Sequence, residues 1–378
     1  FPSSWSPPKL IASRYRACVG GSERQRHPRL KLYTTLPDSV AGAECFFPPP
    51  RHYPAWPLRF DQMLRPESTT TSQHTISACS FDQIVYQGEC TPKGGVIHFE
   101  GGDSTTLVVN STTFADVRLV NSVPYVLIST DQILNGAALY LLHVSLTIDS
   151  CTFVRNSILS QFAAGAAIYA RAASQITILS SSFDSCSLQQ QVSLDPLGGV
   201  VAIQSEFNIP TQVVVDNCSF TSLEASQGIG GAILGFCRSP RADFPCTQSA
   251  FVITRSVFEY CRAINGGAVA LLHADLYINY TSFLRNSARS NTLSYCSQLH
   301  SAGRGVGGAL YLLSGSVELG AGTSFAHNTA SSMAGGAFIA NPSTLWINGT
   351  QPCPCQLRLH IAQLQLRLQP RHSEWHEL

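Results

Sequence analysis

Gly136-Ala137-Ala138-Leu139, then Leu146-Thr147-Ile148, then Phe153-Val154-Arg155-Asn156 is answered by Gly165-Ala166-Ala167-Ile168, Ile176-Thr177-Ile178 and Phe183. The same landmarks return in the same order along most of the chain. The glycine landmark stands at Gly94, Gly136, Gly165, Gly198, Gly230, Gly266, Gly307 and Gly335. Their mean interval is about 34 residues, inside the range of stacked repeat architectures. Phe114, Phe153, Phe183, Phe220, Phe258, Phe283 and Phe325 follow the first seven, and Ile76 to Phe81 keeps the spacing with His74 in place of an aliphatic.

Before each Phe lies a segment of the form aliphatic-x-aliphatic, such as Val213-Val214-Val215 or Leu276-Tyr277-Ile278. Alternation is the period of a half-buried strand; a helix needs apolar residues three and four apart. One unit holds too few aliphatics to bury its own apolar face, so units stack and each side chain meets its copy in the next. The reading is all-β: a single-stranded parallel β-helix of about seven to eight coils, each with three short strands and three corners. Three residues after the first glycine stand Ile97, Leu139, Ile168, Val201, Ile233, Val269, Leu310 and Phe338, expected to point inward. The next column, with His98, Tyr140, Tyr169, Ala202, Leu234, Ala270, Tyr311 and Ile339, is expected to point outward. Tyr140 and Tyr169 are neighbours there, a candidate exposed aromatic strip for sugar rings or a protein, or else a stacked pair that simply stabilises the sheet, which is the favoured reading. Two residues before each Phe the chain keeps a small side chain, as at Thr112, Cys151, Ser181 and Cys218.

These motifs resemble the polymorphic membrane protein repeats of chlamydiae and similar repeats in protist surface proteins, defined by Gly-Gly-Ala-aliphatic and Phe-x-x-Asn. The first is complete at 230–233, 266–269 and 307–310, and the second at Phe153–Asn156, Phe283–Asn286 and Phe325–Asn328; Cys186 and Cys261 replace the Asn elsewhere. The resemblance covers about residues 74–350. It implies a right-handed parallel β-helix of the pectin-lyase-like kind, secreted or displayed at a cell surface, in some members the outer membrane, with adhesive roles.

The flanks lack the repeat. Residues 1–73 are rich in Pro and Arg and read as disordered or misassigned. In 351–378 the register fails, with Pro352 where Phe is due; the tail reads as a truncated array or a gene-model junction, or else as an improvised cap. Charged residues make up 12% of the chain, about half of ordinary usage. The net charge of +1 selects no partner, and the basic N-terminal cluster lacks the aromatic interleaving of a nucleic-acid platform. No apolar run approaches the roughly 18 residues of a membrane span.

Thirteen cysteines without metal-like spacing point to an oxidising compartment. Cys237 and Cys246 flank the longest insertion between a glycine landmark and its Phe and form the candidate disulfide. Cys151 and Cys218, like Cys186 and Cys261, stand two coils apart, too far to bridge, and read as buried small residues. Asn110, Asn279 and Asn348 head sequons and are candidate glycosylation sites, although the repeat template itself generates that pattern.

Many β-helices act on polysaccharides, which requires carboxylates converging on one groove. Here Asp149 and Asp216 are separated by Leu179 in their column, and Asp184 and Glu259 by Thr221. No catalytic residue, metal ligand or cofactor site is assigned. The expected function is therefore a non-catalytic cell-surface or secreted module, displaying loops such as 236–248 and 287–306 for adhesion. Its partner would be a host or neighbouring-cell surface protein or glycan. The alternative is a polysaccharide lyase or glycoside hydrolase with a loop-borne site.

Overall fold

The computed structural model describes residues 58–61, 72–88, 94–102, 104–121, 134–160, 163–190, 198–206, 209–238, 249–290, 305–347 and 360–362. Within them the chain is a parallel β-helix. One coil runs through Leu139–Leu142, Ser145–Asp149, Thr152–Val154 and Ser157–Ser160. The next repeats it as Ile168–Arg171, Gln175–Leu179, Ser182–Asp184 and Ser187–Gln190. Pairing is parallel and in register: Leu139 with Ile168, Leu146 with Ile176, Phe153 with Phe183, Ile158 with Leu188. Each coil thus has four principal strand segments, where three were expected. They form one sheet of 17 strands and two of 8 strands. The large sheet holds two segments per coil because a residue such as His143, Ala172 or His273 turns the chain between them in the left-handed conformation.

The corners explain the small residues and the asparagines. At many corners a non-glycine residue takes a positive φ, for example Ser150 at 53° and Arg155 at 53°. That conformation costs about 1–2 kcal/mol for a residue with a Cβ. Stacking offsets it: Ser150 donates its N–H to the Leu179 carbonyl at 3.1 Å and Arg155 to the Asp184 carbonyl at 2.9 Å, one coil on. The residue after each turn then points its side chain inward to bind the neighbouring coil. Ser181 Oγ accepts the Cys151 N–H at 3.0 Å and donates to the Leu179 carbonyl at 2.6 Å. Asn156, fully buried, accepts the Val117 N–H at 3.1 Å and donates to the Phe114 carbonyl at 3.1 Å. Asn286 does the same with Cys261 N–H and Phe258 carbonyl, both at 2.9 Å. The Phe-x-x-Asn motif is therefore a corner clamp between coils, and the small-residue column is its counterpart at the preceding corner.

The interior is a set of side-chain files. Rings of Phe81, Phe114, Phe153, Phe183, Phe220, Phe258, Phe283 and Phe325 stack in order, with centroids between 4.6 Å and 5.2 Å apart. That spacing follows from the strand separation of about 4.8 Å in a sheet. The aliphatic columns beside them, Leu146 to Ile176 to Val213 and Ile148 to Ile178 to Val215, are equally dry.

A second, smaller core lies outside this one. The column expected to face outward is buried: Tyr140 is 1% exposed and Tyr169 4%. The expectation of an exposed aromatic strip is corrected accordingly. The residue just before each glycine pair forms its own short ladder, seen in the pairing of Ala164 with Asn135, Ile229 with Asn265 and Val306 with Met333. Ala164, Ile229 and Val306 pack on Tyr140, Tyr169, Leu234 and Tyr311, so the chain entering each coil helps to cover the column. The leading glycine sits against it: at Gly136, with φ 66°, an added Cβ would collide with the Leu139 carbonyl and approach Tyr140 Cα to 3.1 Å.

The last landmark is displaced by one residue from its expected register. Leu310 pairs with Ala337 and Tyr311 with Phe338, so Ala337 takes the inner column and Phe338 the outer. Ala334, at φ 57°, takes the left-handed position that Gly307 holds one coil earlier. The parallel ladder also passes the expected limits of 74–350. Leu58–Asp61 pairs with Ile97–Glu100, and His360–Ala362 pairs with Phe338–Ala340. Asn348, Cys246 and most of the loop 287–306 lie outside the described residues.

Candidate ligand-binding cleft

The outer side of the large sheet carries the polar groups nearest a concave surface. In the first described coils its outward side chains are paired with one another. His98 Nε2 and Glu100 Oε1 lie 2.7 Å apart, and the His98 ring sits edge-on to Tyr140 at 4.8 Å. Tyr140 and Tyr169 stack at 5.5 Å, and the Tyr169 hydroxyl donates to Gln204 Oε1. Burial pushes the Tyr140 phenol up to about 12, with Arg171 opposing and Glu100 adding to the shift. Arg171 in turn holds Glu206 at 2.9 Å. Both tyrosines are packing elements here, with their rings closed to a ligand.

Three carboxylates elsewhere clamp coils through arginines. Asp116 binds Arg155 bidentately at 2.8 and 2.7 Å, Asp216 binds Arg255 in the same manner, and Glu259 meets Arg285 at 3.2 Å. The guanidinium beside each holds Asp116 and Asp216 below the usual carboxylate range. Among the described residues no cluster of three His, Cys, Asp or Glu has metal-site geometry.

Cys151, Cys186, Cys218 and Cys261 are free and buried, as read from their spacing. Each thiol donates to corner carbonyls, such as Cys186 to Phe153 at 3.6 Å and Cys261 to Phe220 at 3.5 Å, replacing the asparagine amide of neighbouring coils. Desolvation raises Cys186 and Cys261 to about 12 and Cys218 to about 11. Buried protonated thiols are poor nucleophiles. Cys237, in the strand Ile233–Arg238, is disulfide-bonded. Asn110 and Asn279 are half-buried, and the hydroxyls of their sequon partners Thr112 and Thr281 are buried and donate back to the carbonyls of Asn110 and Asn279 at 2.8 and 2.9 Å. Any transferase would therefore have to act before the coil closes.

The concave surface comes from an irregularity in one coil. Val201–Glu206 runs two residues beyond Ile168–Arg171, and the chain returns so that Ile209 bridges Glu206 antiparallel, its N–H donating to the Glu206 carbonyl at 3.1 Å. Ile209 and Pro210 then form a wall beside the sheet, with Ala172 and His143 at the same corner of the two preceding coils. The floor is Ser145, Gln175 and Gln212, one column over three successive coils, with Ser174 beside it. Ser174 and Ser145 share a hydrogen bond of 2.8 Å between their hydroxyls. The open cleft has a volume of about 490 Å³, and its described lining residues include no carboxylate, lysine or arginine. The sequence offered no sign of it beyond the longer interval between Val201 and Val213.

Comparison with known proteins finds no matching family model, no matching curated protein and no matching solved structure.

Proposed function

We propose that this chain is a non-catalytic β-helix module, secreted or held at a cell surface, that presents loops for adhesion to a protein or glycan of a host or neighbouring cell. One observation carries the reading. The body is uniform, with files and corner clamps repeating from coil to coil, while the length of chain between the files varies from coil to coil. Among the described residues, Val201–Glu206 and Ile233–Arg238 both overrun the four-residue strands on either side of them in the same ladder. A rigid repeated frame with excursions of variable length suits display, since loops on a fixed scaffold commonly carry recognition. Engagement of Asp116, Asp216, Glu206 and Glu259 by arginines also favours binding over acid–base chemistry.

The oxidising location is supported by the disulfide-bonded state of Cys237, for which we take Cys246 as partner. The likeness of the repeats to the polymorphic membrane protein family agrees with a surface role. Among the described residues no helix is long and apolar enough to cross a membrane.

The test is attachment of the full chain, immobilised on beads, to a panel of cells, beside depolymerisation assays on pectin-like and alginate-like polymers. Saturable attachment with no chain cleavage supports the proposal. Polymer cleavage that follows the purified chain would replace it with the polysaccharide-enzyme reading.

A further inference from the structure

The cleft beside Gln175 and Gln212 has the chemistry of a site for uncharged sugars. We propose that it binds a neutral oligosaccharide along the solenoid axis; the inference rests on the adhesion reading and names one ligand class for it.

Three observations converge. The volume of about 490 Å³ lies within the range of small-ligand sites, which run to several hundred Å³. Its floor alternates hydroxyl and amide groups: Ser145, Ser174, Gln175 and Gln212 supply both donors and acceptors, the set that sugar hydroxyls require. Among the described lining residues there is no lysine or arginine and His143 is the one titratable group, so little there would offset the cost of desolvating a uronate or a sialic acid. Gln175 and Gln212 are both exposed, so their amides meet a ligand without disturbing the core.

Geometry adds the direction. Gln175 and Gln212 occupy the same position in adjacent coils, and Ser145 occupies it one coil earlier. Their rise of roughly 4.8 Å per coil is close to the length of one pyranose residue, so successive sugars meet equivalent groups. Ile209 and Pro210 supply the apolar wall against which the C–H face of a ring packs. A peptide would present its backbone groups in an alternating pattern that the single-column floor does not match.

The experiment uses the full chain and calorimetric titration with maltohexaose, cellohexaose, mannohexaose and chitohexaose, with hexagalacturonate as the charged probe. The expected result is binding of at least one neutral hexasaccharide, weakened tenfold or more in the Q175A/Q212A double variant. Ser174→Trp, which fills the cleft from an exposed position, should abolish binding, with the thermal midpoint unchanged in both variants. Binding of no neutral probe, equal binding of hexagalacturonate, or binding indifferent to Q175A/Q212A overturns the assignment. Bead attachment measured in parallel separates the two ideas. Attachment that survives without sugar binding leaves the adhesion reading in place and removes the cleft. Sugar binding without attachment keeps the cleft and removes adhesion.

Discussion

Replacing Phe220 with alanine tests whether stability resides in a continuous file or in each coil separately. Phe220 is fully buried between Phe183 at 4.8 Å and Phe258 at 4.6 Å, with interplanar angles of 3° and 2°. Truncating a core Phe costs about 3–5 kcal/mol, because lost transfer energy and residual cavity add. The upper end applies here. Ladder bonds on both sides, Ser219 N–H to the Ser181 carbonyl at 3.0 Å and Val257 N–H to the Cys218 carbonyl at 2.9 Å, prevent the coils from closing over the hole. Phe325 is the comparison. It is 6% exposed and its ring partner in the file is Phe283 at 4.9 Å. One stacked pair is worth about 1 kcal/mol beyond its buried area, and an end coil relaxes more freely. F220A should therefore cost about 5 kcal/mol and F325A about 3 kcal/mol.

Urea unfolding of the two variants gives the totals, and hydrogen exchange over Ser219–Thr221 and Ser324–Ala326 gives the location. In a solenoid each coil contacts only its neighbours, so damage in the middle divides the cooperative unit. F220A should expose amides on both flanks, and F325A only those near the end. Equal costs for the two variants would refute the file as the source of stability. So would unchanged protection of Ser219–Thr221 in F220A.

Three further outcomes follow from the corners and the thiols. Asn286→Ala strands the Cys261 N–H and the Phe258 carbonyl, at about 1–3 kcal/mol for each buried group left unpaired, whereas Asn286→Cys keeps a donor as Cys261 does and should lose less in a urea titration. Ala334→Gly relieves a left-handed alanine and should stabilise by about 1 kcal/mol, while Gly307→Ala at the equivalent position should destabilise. Cys186, Cys218 and Cys261 should resist iodoacetamide in the native chain and react after unfolding, read site by site by mass spectrometry. These thiols keep their protons in the fold beyond the ordinary value of 9.0, so their contribution is complete below pH 9 and declines as pH rises toward 12. A denaturation midpoint that rises over that window would contradict the assignment.

The coil was legible because its determinants are local and repeated. Alternation at Leu146-Thr147-Ile148 names a strand, and recurrence of Phe at a near-constant interval names the file. The outer column was misjudged for a physical reason: pointing away from the main core is not the same as facing water. Tyr140 is covered in part by the segment that precedes the glycine pairs, which carries no motif of its own. The register at 335 is not legible in the letters alone. Gly335-Gly336-Ala337-Phe338 imitates the landmark, but the pairing of Leu345 with Val317 and of Ala330 with Ala288 sets the coil, and Ala334 accepts the strained position. The cleft was hidden because it depends on where the chain returns at Ile209, and serines and glutamines are ordinary surface letters.

The division between frame and surface has an energetic basis. Side chains in the files are buried, and the corner clamps reach only to an adjacent coil. The Glu206–Ile209 return adds one antiparallel bridge outside the main ladders. Removing it leaves the pairing of Val201 with Ile233 and of Val213 with Phe251 in place. Loop-closure entropy grows only logarithmically with length, so lengthening such an excursion costs little once the ladders on either side are formed. A stacked frame of this kind therefore tolerates change at the cleft wall while holding Gln175 and Gln212 at fixed spacing. Recognition by such a surface varies through the excursion and stays aligned through the coil.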